Sequence, residues 1–320
     1  MLNALLRTVP LPWFAPLRHG AVAWPRGSLP RSACIAVLKQ AARAHRGRLG
    51  GDLSEIRPAD APDLRFGASD SMVMEAVHWF GVQGYEGQVA EVWTSLCRQS
   101  RDVLEVGGNV GLFSVIGARA QTQDGARYTV LEPVPEVAAE LRANLARNGL
   151  APESSGRVQL LEMAAVPDAA ARLVQLNIPD EGRAAPVGAA LLDGSELSGR
   201  STARIITVPG RPFADLAQGR DLIKMDAEGI EAALLLAARD VLAHSRPTLL
   251  IEVLPEATRL GALLAELAAE LGYIISIIPE WGTGGIVTVP PAAFTAALPA
   301  RYNSKDVLLS VRKLELGRAS

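Results

Sequence analysis

Aromatic residues make up only 5% of this 320-residue sequence, which leaves few stacking platforms of the kind that hold single-stranded nucleic acid. Charge of one sign is also lacking: a formal net charge of -2 creates no global field that would steer a polyanion. Nucleic acid is therefore not an expected partner. The two cysteines, Cys34 and Cys97, form neither a disulfide framework nor a metal-type spacing, and they suit a reducing compartment. The four histidines (His19, His45, His78 and His244) are scattered, so no metal is evident. No apolar run approaches the roughly 20 residues that a membrane span needs. Residues 1–17 are apolar but broken by Pro10, Pro12 and Pro16, with no clear small-residue cleavage site. They read as retained, and the expected location is cytoplasmic.

Acids are missing from residues 1–50, which carry Arg7, Arg18, Arg26, Arg31, Lys39, Arg43, Arg46 and Arg48. Such an arm suits peripheral contact with an anionic membrane or a lipid-linked substrate. A surface extension packed on the main domain is the plainer reading, and an organelle transit peptide is a third.

The apolar share of 49% is enough to bury a sizeable core. Residues 1–80 read as a basic, partly helical extension punctuated by Pro58, Pro62 and Gly67, with a helix over Ala33–Arg46. Residues 81–320 read as one domain in which short apolar runs alternate with amphipathic stretches. That alternation predicts an α/β fold with a doubly wound, mainly parallel, seven-stranded sheet. The expected strands are Val103–Val106, Tyr128–Leu131, Val158–Leu161, Leu222–Met225, Thr248–Ile251, Tyr273–Ile278 and Val307–Val311. Helices are expected at Leu112–Ala120, at Glu136–Arg147 with Val137, Leu141 and Leu145 on one face, and at Ala257–Leu271 with a leucine stripe. The long connection Leu173–Val208 suggests two antiparallel strands around a loop. Gly282–Gly285 followed by Ile286–Val289 suggests a hairpin insertion.

Two turns carry the chemistry. In Val103-Leu-Glu105-Val-Gly107-Gly108-Asn109-Val-Gly111 an apolar strand runs into a glycine-rich turn and then a helix. In doubly wound sheets such a turn lies at the carboxyl end of a strand, where ligands bind. The dinucleotide pattern G-x-G-x-x-G fits poorly, because Asn109 and Leu112 stand where its second and third glycines belong. An acid followed by loosely spaced glycines suits S-adenosyl-L-methionine, whose amino group is positive and which has no pyrophosphate. The next strand ends in Glu132-Pro133, and a carboxylate there can accept hydrogen bonds from both ribose hydroxyls. Glu162-Met-Ala164-Ala165 ends the third strand with small side chains that leave room for a flat adenine ring.

In Asp221-Leu-Ile-Lys224-Met-Asp226-Ala-Glu228-Gly-Ile-Glu231 a strand ends with Lys224 and Asp226 on one face. Glu231 suits the start of the following helix. Three acids beside a lysine exceed what capping requires, and Glu252 adds another at the same edge. Asp226 is the first candidate for a general base and Glu228 the second, with Lys224 positioned to hold a carboxylate or to offset a developing alkoxide. His244 is an alternative base that the doubly wound layout places far from the glycine turn.

The turn with Asn109, the Glu132-Pro133 corner backed by Asn144 and Asn148, and LIKMDAEGIEAALL together resemble the FkbM family of S-adenosylmethionine-dependent methyltransferases. The resemblance runs from about Glu86 to Tyr273, and little of it reaches residues 1–80. It implies a Rossmann-like class I methyltransferase fold and methyl transfer to a hydroxyl of a sugar, glycolipid or polyketide-type natural product. It also implies that Glu86, in Gly84-Tyr-Glu86, contacts the methionine moiety. The family commonly has Asp and Gly-Ala where this chain has Glu105 and Gly107-Gly108; Glu for Asp keeps the charge. A non-catalytic binding protein of the same fold and a nicotinamide-dependent oxidoreductase are the alternatives.

Overall fold

Near-continuous apolar runs make stable strands only where helices cover both faces of a sheet. The computed structural model of the chain has that layering. It describes residues 2–25, 27–179, 189–191, 202–254, 257–278, 285–298 and 305–313. The central sheet contains β1 (Asp102–Val106), β2 (Arg127–Leu131), β3 (Val158–Leu161), β4 (Leu222–Met225), β5 (Thr248–Val253), β6 (Ile274–Ile278), β7 (Val287–Val289) and β8 (Lys305–Ser310). Their order is β7-β6-β8-β5-β4-β1-β2-β3. Neighbours from β3 to β5 are parallel. β8 is antiparallel to both β5 and β6, and β7 is antiparallel to β6. All four residues of β4 are buried, as a strand covered on both faces requires.

Among the described residues the sheet therefore has eight strands rather than seven. The segment expected in a hairpin insertion, Ile286–Val289, supplies β7, which pairs along the edge strand β6 and extends the sheet. Most of the expected glycine turn before it, residues 282–284, lies outside the described residues. The long connection does form an antiparallel pair, Leu173–Pro179 with Thr202–Pro212. Ala190–Leu191 and Ala164–Val166 join these two in a separate four-stranded sheet.

The helices that matter for the site are α1 (Leu29–Ala44), α2 (Met72–Phe80), α3 (Gly87–Gln99), α4 (Leu112–Ala120), α5 (Pro135–Arg147), α6 (Glu231–Ala237) and α7 (Thr258–Leu271). The apolar faces expected on α5 and α7 are buried: Val137, Leu141 and Leu145 on one, Leu260, Leu263, Leu264 and Leu267 on the other. Helix α1 begins four residues before the expected Ala33, because Pro30 occupies the first turn, where a missing N–H costs nothing.

Residues 2–80 are largely helical, and their apolar side chains belong to the same core as the sheet. Leu11, Phe14, Leu38 and Leu49 are buried in it. The Phe14 ring meets Trp79 edge-on at 5.3 Å and His45 at 5.8 Å. A short two-stranded ribbon, Glu55–Ile56 with Phe66–Gly67, is fastened to α5. The Gly67 N–H donates to Asn144 Oδ1 at 2.7 Å, while Asn148 accepts from the Arg65 N–H at 3.1 Å and donates to the Arg65 carbonyl at 2.6 Å. Among the described residues, no helix is long and apolar enough to cross a membrane.

Candidate functional site

The chain places β1, β2 and β3 successively to one side and then begins β4 on the other side of β1. This makes a topological switch between β1 and β4, where ligands bind in such sheets. The turns after β1 and β4 meet there. Gly107 has a φ of +88°, and a Cβ on it would lie 2.0 Å from the backbone oxygen of Asp226. A side chain at this position would collide with the β4 turn, so glycine lets the two turns pack together. Gly108 and Gly111 give way to packing instead, since a Cβ would lie 2.4 Å from Val130 in one case and from Leu141 in the other.

Glu105, near the end of β1, is 1% exposed. Its Oε2 accepts from the Ser114 hydroxyl at 2.6 Å and the Tyr128 hydroxyl at 2.7 Å. Its Oε1 is buried and has no partner. Burial pushes the Glu105 carboxyl up to about 7, against the opposing pull of Lys224 and the two hydroxyls. Glu132, at the end of β2, accepts from the Asn109 N–H through Oε2 and from the Val134 N–H through Oε1, both at 2.9 Å. It thereby ties the glycine turn to the start of the β2–α5 corner. Burial raises it too, to about 7, opposed by those two N–H groups. Asn109 sits at a φ of +46°, and its side-chain oxygen accepts from the Val110 N–H at 2.7 Å. The Asn144 amide donates to the Val110 carbonyl at 2.8 Å from the α5 side.

Across the switch, Lys224 is 3% exposed. Its Nζ lies 3.5 Å from Asp226 Oδ2 and 4.6 Å from the centre of the Phe113 ring. Burial alone would lower the ammonium, yet Asp226, Glu86, Glu105 and Asp306 together hold it above its ordinary value. Glu252 in β5 is driven well above the usual carboxyl range, first by burial and then by the neighbouring Asp226 carboxylate. Glu231 accepts from the Ala227 N–H at 2.7 Å and so closes the turn before α6, the structural part expected of it. Glu228 stands at a φ of +55° on the same turn.

These groups surround a cleft with about 920 Å³ of empty space, counting the part open to solvent. Its wall includes Glu105, Gly107, Gly108, Asn109, Glu132, Ala164, Ala165, Lys224, Asp226 and Glu228. The wall does not include Gly111, which packs behind it on α5, or Glu86, whose neighbour Tyr85 does face the cleft. Leu176, Ala189 and Leu191 close part of it from the four-stranded sheet. His244 is exposed on the helix Arg239–Ser245, away from the wall. The sequence reading missed the partners of Glu105. Ser114 lies nine residues on, and Tyr128 lies on the adjacent strand, two residues before the partner of Glu105 and on the same face. Among the described residues no group of three or more His, Cys, Asp or Glu side chains is arranged to hold a metal ion.

The family model described as the methyltransferase FkbM domain matches residues 105–275. Among solved structures, a methyltransferase FkbM from Methylobacillus flagellatus KT is 16% identical, with 89% of this chain and 72% of that chain covered at a TM-score of 0.41. An O-methyltransferase from Bacillus cereus in complex with S-adenosylhomocysteine is 14% identical, covering 70% and 80% at a TM-score of 0.39. The O-methyltransferase TomG from Streptomyces achromogenes, involved in tomaymycin synthesis and bound to S-adenosylmethionine, is 14% identical, covering 70% and 78% at a TM-score of 0.35. No curated protein sequence matches the chain.

Proposed function

The chain belongs to the FkbM family of methyltransferases, and from that premise we propose that it methylates a hydroxyl oxygen of a sugar, glycolipid or polyketide-type product, with S-adenosyl-L-methionine as methyl donor. The observation that carries the choice of donor is Glu105 on the cleft wall, a carboxyl with one buried oxygen that has no partner. An unpaired buried acceptor is costly, and an ammonium group would satisfy it. Each Glu132 oxygen already accepts one backbone N–H and keeps a lone pair for a ribose hydroxyl. Ala164 and Ala165, beside Met163, leave a flat apolar surface for a purine. Gly107, Gly108, Asn109 and Gly111 shape the turn between these two acids, and Glu86, next to the cleft-lining Tyr85, is the residue that the family resemblance assigns to the methionine moiety.

The bound donor supplies an electrophilic methyl carbon on a sulfonium, so that a carbon–sulfur bond breaks as the carbon–oxygen bond forms. The protein's part is to hold the acceptor oxygen in line and to take its proton. Asp226 is placed for the proton transfer. It sits at the carboxyl end of β4 on the cleft wall, with its side chain partly exposed and Lys224 beneath it. Glu228 shares the turn and is the second candidate. Lys224 offsets the negative charge that builds on the acceptor oxygen as its proton passes to the base.

Calorimetric titration separates this reading from its rivals. S-adenosylhomocysteine should bind and NAD should not, and the same protein should then transfer methyl to a hydroxyl acceptor. Binding of NAD in place of S-adenosylhomocysteine would overturn the donor assignment. Binding without turnover over a panel of sugar, glycolipid and polyketide acceptors would favour a non-catalytic role.

A further inference from the structure

We propose that the outer face of the N-terminal helical layer docks on an anionic lipid bilayer. Every charged residue among 1–50 is basic. Of these, Arg7, Lys39, Arg43 and Arg46 are exposed, while Arg18 and Arg48 turn inward to the carbonyls of Arg57 and Arg7. The same layer exposes large apolar side chains that a water-facing surface has no use for: Leu29 is 86% exposed, Trp13 75%, Leu5 66%, Trp24 44% and Val37 41%. Trp79 and Trp93, by contrast, are buried in the core.

Helix α1 shows how the two features combine. Steps of four put Leu29, Ala33 and Val37 in one exposed stripe, and Ser32, Ala36, Lys39 and Arg43 form the adjoining exposed stripe. Leu38, Ala41 and Ala44 face the core behind them. An apolar stripe beside a basic one is the composition of a helix that lies in the lipid headgroup region. Stable peripheral binding takes two signals, shallow apolar insertion and a cluster of cations, and this face has both.

The chemistry of the face favours a bilayer over other partners. A nucleic acid would neutralise the arginines but leave Leu29, Val37 and Trp13 in water. A second copy of the same face would set like charge against like charge. The layer is not loosely attached: α1 and the helix Ala15–Ala23 both pack on α2, and α2 carries Val73 into the cleft wall. Membrane surface and cleft are thus joined through one helix.

The test is flotation of the full chain with vesicles of phosphatidylcholine alone and with added phosphatidylglycerol. The protein should float with the anionic vesicles and not with the neutral ones, and high salt should release it. A Lys39→Gln/Arg43→Gln/Arg46→Gln variant should partition roughly 100-fold more weakly, since each cation near the surface is worth about fivefold. Trp13→Ser/Leu29→Ser should weaken binding to anionic vesicles even at low salt. All five positions are exposed, so the melting temperature should stay at the parental value. Equal flotation with both vesicle types, or none with either, would overturn the proposal. So would a Trp13→Ser/Leu29→Ser variant that binds vesicles like the parent, since the arm would then be a general polyanion binder. Self-association that this variant abolishes, without vesicle binding by the parent, would instead assign the face to a second copy.

Discussion

Glu105 binds hydroxyls through one oxygen and leaves the other buried and unpaired, with its carboxyl pushed up to about 7 by burial. A cationic ligand favours the ionised form. Affinity for S-adenosylhomocysteine, which keeps the ammonium group, should therefore rise between about pH 6 and pH 8 and then level off. Glu105→Gln should flatten that profile and weaken binding at pH 8 by roughly 10- to 100-fold, the loss of one charged hydrogen bond. Calorimetric titration across pH decides it, and a profile that persists unchanged in the variant would move the dependence to Glu132. At the other turn, Asp226→Asn should lose about 10²–10⁴-fold in single-turnover methyl transfer while still binding the donor. Glu228→Gln should lose less; transfer at the parental rate in both variants would place the base elsewhere. The sequence made the candidate acids legible because they fall at strand ends, where a period of two separates lining from packing positions. It did not make their partners legible. Tyr128 lies on the adjacent strand, far in sequence from Glu105, and only the register of the sheet brings the two together.

Among the elements, α5 does more than cover the sheet. Asn144 on its buried side holds the Val110 carbonyl of the glycine turn and the Gly67 N–H of the N-terminal ribbon. Asn144→Leu keeps the bulk and strands both backbone groups. It should cost about 2–6 kcal/mol, because each buried polar group left without a partner costs about 1–3 kcal/mol. Urea denaturation measures the loss, and an unchanged midpoint would show that water replaces the amide. The periodicity of α5 and α7 was readable because their leucines fall on one face of each helix. The first turn of α1 was not, because Pro30 reads as a helix breaker and only its position decides that it is tolerated. The sheet built from 164–166, 173–179, 190–191 and 202–212 was readable only as one antiparallel pair, since strands of two or three residues carry no measurable alternation.

For the molecule as a whole, burying several ionisable groups sets a pH dependence of stability. Glu105, Glu132 and Glu231 each titrate at about 7 in the folded chain, above the ordinary 4.5. Between those values the folded state holds protons that the unfolded state has released. This stabilisation is complete below about 4.5 and is lost as pH rises through 7. His78 opposes it: its ring nitrogens are buried without partners, and burial lowers it from 6.5 to about 3. The unfolded chain therefore takes up a proton there that the folded chain refuses, and stability falls as pH drops through that window. Three carboxyls outweigh one imidazole, so the ligand-free protein should have a higher urea midpoint at pH 5.5 than at pH 7.5. A higher midpoint at pH 7.5 would mean that His78 or acid groups elsewhere dominate. One further consequence comes from the place of β8, which is last of the eight strands along the chain but inserts between β5 and β6. A chain emerging from the ribosome can pair β1 to β5 early, yet the β6–β7 pair has no sheet edge to join until residue 310 is free. During synthesis the backbone of β5 stays open on one side, ready to accept any strand, and the interval before β8 arrives is the time in which a chaperone would have to act.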